Sequence, residues 1–115
     1  MHELAVAAQL LQLVEAEARK AGARRVLAVH LALGENSHIN EGALRFHFER
    51  LAGWEGLASG AELRFRREPM RFRCHECDAD YAPSVGDWRC PGCGRLGKLV
   101  DAGDELRVED IEVEV

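Results

Sequence analysis

Long apolar runs are missing from this 115-residue chain: no stretch approaches the roughly 18 to 20 consecutive apolar residues of a membrane span. The N-terminus does not combine the basic segment and apolar core of a secretory signal, so Met1 is expected to be the mature start and the protein to be cytoplasmic. There is no Walker A sequence and no nucleophile set beside a base, which leaves hydrolysis of a nucleotide or ester without support and points away from an enzyme. An excess of positive charge is also missing. Fifteen Lys and Arg stand against twenty Asp and Glu, a formal net charge of −5, which argues against a general nucleic-acid binder.

The remaining composition, 47% hydrophobic and 30% charged, suits one small soluble domain or two very small lobes that need help to stay folded. Charge is unevenly spread. The stretch LRFRREPMRFR holds Arg64, Arg66, Arg67, Arg71 and Arg73, whereas DAGDELRVEDIEVEV carries Asp101, Asp104, Glu105, Glu109, Asp110, Glu112 and Glu114, and either end could be read by a partner.

Apolar periodicity lays out the elements. From His2 to Ala21, Leu4, Ala7, Ala8, Leu11, Val14 and Ala18 recur at helical spacing, and Gly22 can stop that helix. RRVLAVHLAL reads as a strand, with Leu27, Val29, Leu31 and Leu33 on a well-covered face and Val26, Ala28, His30 and Ala32 on a lightly covered one. Asn40 is a good N-cap for a second helix that places Leu44, Phe48 and Leu51 on one face and stops at Gly53. AELRFRRE is a strand with Leu63 and Phe65 inward. In the closing strand the apolar parity changes from Leu106 and Val108 to Ile111, Val113 and Val115, which a β-bulge at Glu109–Asp110 would accommodate.

The most specific feature lies between these last two strands. Cys74, Cys77, Cys90 and Cys93 form C-x2-C-x12-C-x2-C and account for every cysteine. Each C-x2-C turn can aim two thiolates at one point, and two turns complete the tetrahedron of a structural Zn(II) site. Two disulfides, disfavoured in a reducing compartment, and a redox pair, expected still less, are the rival readings. A closed tetrahedron leaves no open position for substrate, so this metal is expected to staple a lobe too small to bury a core. Arg73, Arg89, Arg95 and Lys98 lie nearby to offset the negative charge of the thiolates. Gly92, Gly94 and Gly97 match a dinucleotide fingerprint by letter, but they overlap the cysteine turn and lack a strand-to-helix context. His30 and His47 read as partly covered structural residues, while His38 and His75, in turns, are candidates to touch a metal.

The chain opens Met1-His2-Glu3. A histidine there can be an ordinary surface residue. It can also act as a chelator: the Met1 amine, the His2 amide nitrogen and the His2 imidazole form adjacent five- and six-membered rings around one ion, and nitrogen donors in a plane suit Ni(II) or Cu(II). Glu3 supplies a further donor or a balancing charge.

Taken together, Met1-His2-Glu3, the central LGENSHINEGALRFHFE, the paired C-x2-C turns and the closing GDELRVEDIEVE resemble the HypA/HybF hydrogenase-maturation nickel chaperones over nearly the whole length. The resemblance implies an α+β fold, with two helices on a small three-stranded sheet forming a nickel lobe, residues 1–68 plus 101–115. A zinc-ribbon-like lobe, residues 69–100, is inserted before the last strand. It implies nickel as cargo at His2, with Glu3 as its acidic neighbour, and structural zinc on Cys74, Cys77, Cys90 and Cys93. The implied partners are the maturation GTPase HypB and the NiFe-hydrogenase large subunit, with the protein itself a monomer or weak homodimer, bound to neither nucleic acid nor membrane. His38-Ile39-Asn40 departs from the small residue and proline common at that turn in the family. A zinc-ribbon module that binds nucleic acid through its arginines is the alternative.

Overall fold

The computed structural model describes residues 2–84 and 86–115. In chain order the elements are α1 (Glu3–Lys20), β1 (Arg25–Gly34), α2 (Glu41–Ala52), β2 (Glu62–Glu68), β3 (Arg71–Cys74), β4 (Ala79–Tyr81), β5 (Lys98–Asp101) and β6 (Leu106–Glu114). The strands form two three-stranded sheets, ordered β2-β1-β6 and β4-β3-β5. The chain divides into two compact units. The first holds residues 1–32, 38–66 and 107–115, and the second holds 33–37 and 67–106. Among the described residues, no helix is long and apolar enough to cross a membrane.

In the first unit α1 and α2 pack together. Helix α1 starts at His2, an extended N-cap, and ends at Ala21, followed by Gly22 at φ +68°, a left-handed value that glycine adopts without steric cost. Its buried stripe is Ala7, Leu10, Val14 and Ala18, which corrects the sequence reading: Leu10 faces the core in place of Leu11, and Leu4 in the first turn is exposed. Helix α2 buries Leu44, Phe48 and Ala52. Leu51, expected on that face, is exposed; the row that faces inward runs at i, i+4 through Leu44, Phe48 and Ala52, and Leu51 lies one residue off it.

Strand β1 is central, and both of its faces are covered. Val29 and Leu31 are buried on one face, and Val26, Ala28 and Ala32 on the other, while Leu27 near the strand start is exposed, against expectation. Arg64 of β2 reaches Glu112 of β6 at 3.1 Å, and Arg66 of β2 reaches Glu109 of β6 at 2.7 Å. Because β1 lies between β2 and β6, these ion pairs span it from one flanking strand to the other. In β6, Glu109 and Asp110 are consecutive exposed residues flanked by half-buried Val108 and Ile111, so burial changes parity where the apolar pattern does.

The second unit is built on β3, which pairs antiparallel with β4 and with β5. Phe72, its buried aromatic, has the ring centroids of Tyr81 and Trp88 each 5.8 Å away, a cluster of three rings in which Tyr81 is half-buried and Trp88 exposed on its outer side. The Tyr81 hydroxyl donates to the Trp88 carbonyl at 2.7 Å and accepts from the Gly97 amide at 3.0 Å. A Cβ at Gly97 would lie 2.7 Å from that hydroxyl, so glycine is required there.

Candidate metal centre

The four cysteines converge from two turns. Cys74 is the last residue of β3 and Cys77 follows in the turn to β4, while Cys90 and Cys93 lie in a turn bracketed by the Arg89–Leu96 bridge. All are free thiols, and their sulfurs lie within 4.8 Å of one another. Cys74 Sγ is 3.5 Å from Cys93 Sγ, and Cys90 Sγ is 3.9 Å from Cys77 Sγ. A tetrahedron with metal–sulfur bonds of ~2.3 Å has edges of about 3.8 Å, so this spacing fits a four-thiolate ion and is far too long for disulfides.

Backbone geometry gives the two turns the same form. The Cys77 amide points at Cys74 Sγ at 3.5 Å, and the Gly92 amide points at Cys90 Sγ at 3.4 Å. The residue after each second cysteine is left-handed: Asp78 at φ +51° and Gly94 at φ +77°. Glycine fills this role without strain; Asp78 does so while its carboxylate accepts from Arg73 at 2.6 Å. The amide of Cys77 lowers the Cys74 thiol to about 7, whereas hydrogen bonding to the Cys90 and Cys93 sulfurs pushes Cys77 up to about 12. Cys74 therefore ionises more readily than Cys77.

Three of the four basic residues expected to offset the thiolates pair with carboxylates instead. Arg73 pairs with Asp78 and Asp80, Arg89 with Asp87, and Arg95 with Glu76 at 3.7 Å. The last pair joins the two turns, since Glu76 lies inside the first and Arg95 just beyond the second. These pairs escape a sequence reading because side-chain pairing is decided by the fold. Arg64, Arg66 and Arg73 thus face carboxylates of their own chain, which weakens the case for an arginine surface that reads phosphates.

At the other end of the chain, Met1 lies outside the described residues. His2 is exposed, at φ −84° and ψ 139°, and its side chain makes no capping hydrogen bond. Glu3 Oε2 accepts the Asn40 amide at 3.0 Å, and that bond holds the Glu3 carboxyl below its usual range. His38 and His75 are both exposed, and neither belongs to a metal-sized cluster among the described residues.

Residues 1–113 match the family model described as HypA, hydrogenase/urease nickel incorporation, metallochaperone. The chain belongs to the HypA family. It is 37% identical over 115 residues to the hydrogenase maturation factor HypA of Roseiflexus sp. (strain RS-1), covering 99% of this chain and 93% of that one. HypA of Geobacter metallireducens is 37% identical over 114 residues, 99% of this chain and all of its own. In fold, the solution structure of the nickel metallochaperone HypA from Helicobacter pylori matches with a TM-score of 0.70 at 24% identity, covering 99% of this chain and 98% of that one. HypA proteins are metallochaperones, not enzymes, and membership makes this chain a nickel metallochaperone of hydrogenase maturation that works with the maturation machinery. The α+β fold expected from the resemblance is the fold observed.

Proposed function

We propose that Ni(II) is carried at the N-terminus, by the Met1 amine and the His2 amide nitrogen and imidazole with Glu3 beside them, and that Zn(II) is held by Cys74, Cys77, Cys90 and Cys93. The observation that carries the cargo reading is an exposed imidazole one residue from the start of a chain whose family inserts nickel. Planar nitrogen donors favour Ni(II), and an end-of-chain site can be offered to an acceptor without unfolding anything. Glu3 adds negative charge, while its contact with Asn40 fixes where the first turn of α1 points. Zinc, when bound, supplies no chemistry; it staples the aromatic lobe, and its four sulfur donors and amide-to-sulfur contacts leave no position open.

On this reading residues 1–68 and 101–115 are the nickel lobe and 69–100 the zinc lobe. The protein acts in the cytoplasm as a monomer or weak homodimer, receiving or passing nickel with the GTPase HypB and delivering it to the NiFe-hydrogenase large subunit. The deciding experiment is nickel titration of an untagged protein beginning at Met1, compared with the same chain extended by one residue. The extension turns the amine into an amide and should abolish the tight site. Equal binding by both would move the cargo site elsewhere, with His38 and His75 the next residues to test.

A further inference from the structure

Strand β6 ends the β2-β1-β6 sheet, so among the described residues one side of it carries no neighbouring strand. Beside it in the first unit runs a groove of about 290 Å³, floored by Leu13 and Val14 of α1 and by Val108 and Ile111 of β6. The apolar cover is incomplete: Leu13 is 47% exposed, and Val108 and Ile111 are only half-buried. Glu17, Glu109 and Asp110 form the rim.

Charge decides what can lie there. Residues 104–115 carry six carboxylates and one arginine. Pairing β6 with β6 of a second copy would bring these carboxylates together across the new ladder, and like charges placed opposite one another destabilise a strand pair. A basic strand meets no such penalty. Glu109, Glu112 and Glu114 are already held by Arg66, Arg64 and Arg24, whereas the Asp110 side chain is 68% exposed with the His30 imidazole 3.8 Å away, a ring that lies closer to Glu112, at 2.7 Å, and the Glu17 side chain is 50% exposed and pairs with Lys20 at 3.3 Å.

We infer that the groove between α1 and β6 is a docking surface for an extended, basic segment of a partner protein. The segment adds as a strand to the free edge of β6. Its alternate apolar side chains lie on Leu13, Val108 and Ile111, and its Lys or Arg side chains reach Glu17 and Asp110. Main-chain pairing supplies the affinity, and the alternation of apolar and basic residues supplies the selectivity. The surface is independent of the nickel and cysteine sites, so the test needs no nickel and its failure leaves the cargo reading untouched.

The probe is a nine-residue peptide of alternating Val and Lys, blocked at both ends, titrated into the full-length zinc-loaded protein and followed by amide hydrogen exchange and NMR shifts. Slowed exchange along residues 106–114, with saturable binding that weakens as salt rises, is expected. Leu13→Glu should abolish binding, and Glu17→Lys with Asp110→Lys should weaken it by about fivefold. Leu13 is 47% exposed and the Glu17 and Asp110 side chains 50% and 68%, so the fold should tolerate these changes. N-methylation of the peptide amides on its pairing edge should also abolish binding. The proposal is overturned if a Val–Glu peptide binds equally well, if the variants or N-methylation make no difference, or if shifts map away from β6. It is equally overturned if β6 is already protected in a dimer of the protein alone.

Discussion

Glu3 Oε2 accepts the backbone amide of Asn40 at 3.0 Å, and Asn40 Oδ1 in turn accepts the amide of Ala43 at 2.8 Å. One carboxylate therefore links the first residue of α1 to the N-cap of α2. Asn40→Ala removes the cap and should cost about 1 kcal/mol in stability, measured by urea denaturation. Glu3→Ala should shift the Asn40 amide resonance. Because the folded-state Glu3 pKa is depressed, its contribution is present above the ordinary carboxylate range and is lost as pH falls through the lower folded value. An Asn40 amide shift that titrates with an unperturbed carboxylate profile would contradict the contact.

Nickel should follow the proton inventory of the terminus. The α-amine titrates near ~7.7–8.0 and imidazole near ~6.5, and both must lose competing protons to bind, so nickel affinity should fall with pH and be largely gone below about pH 6. His2→Ala should lose nickel while still capturing its partners from a maturation extract. Normal nickel insertion by that variant would remove His2 from the cargo site.

In metal-free protein the Cys74 thiol should ionise near pH 7, before Cys77 and Cys93, whose thiols are pushed up. Its pKa is lowered on folding, so the stabilisation it brings is present above the ordinary thiol value near 9.0 and disappears as pH falls through about 7. Thiolate absorbance near ~240 nm should rise in a separate early step, and Cys74→Ser should delete it. One concerted rise at higher pH would mean that the Cys77 amide does not support this sulfur.

Cys90→Ser should retain little zinc after dialysis and should loosen residues 70–100 while α1, α2 and their sheet persist. Trp88, with its ring centroid 5.8 Å from that of Phe72, reports this change; Trp54, 97% exposed, gives a nearly constant background. Unchanged Trp88 emission together with unchanged zinc content would rule out the four-thiolate staple.

The left-handed residue after each C-x2-C turn gives a sharper test. Asp78→Gly should stay within about 1 kcal/mol of the parent, because glycine relieves the φ > 0 cost even as the Arg73 contact is lost. A β-branched residue cannot adopt that conformation easily, so Asp78→Val should cost about 2 kcal/mol and speed zinc loss to a chelator. Equal zinc release rates for the two variants would show that this backbone conformation does not shape the site.

Local chemistry made much of this molecule legible. Helix and strand identity follow from apolar spacing, the stops at Gly22 and Gly53 from their freedom at φ > 0, and the cysteine cluster from two turns each short enough to aim a pair of sulfurs. The choice among equivalent neighbours was not legible. Leu10 or Leu11, and Leu51 or Ala52, satisfy the same helical period, and only packing between α1 and α2 decides which member is buried. Nor could the sequence assign ion partners. Arg64 and Glu112 are 48 residues apart, Arg66 and Glu109 are 43 apart, and Glu3 and Asn40 are 37 apart. The acidic tail and the arginine stretch look in sequence like two surfaces for outside partners; placed on strands either side of β1, they pair with each other across it. Hydrophobic period and turn geometry are properties of a few adjacent residues and so can be read from the chain, whereas a charge finds its partner only after the sheet order is set.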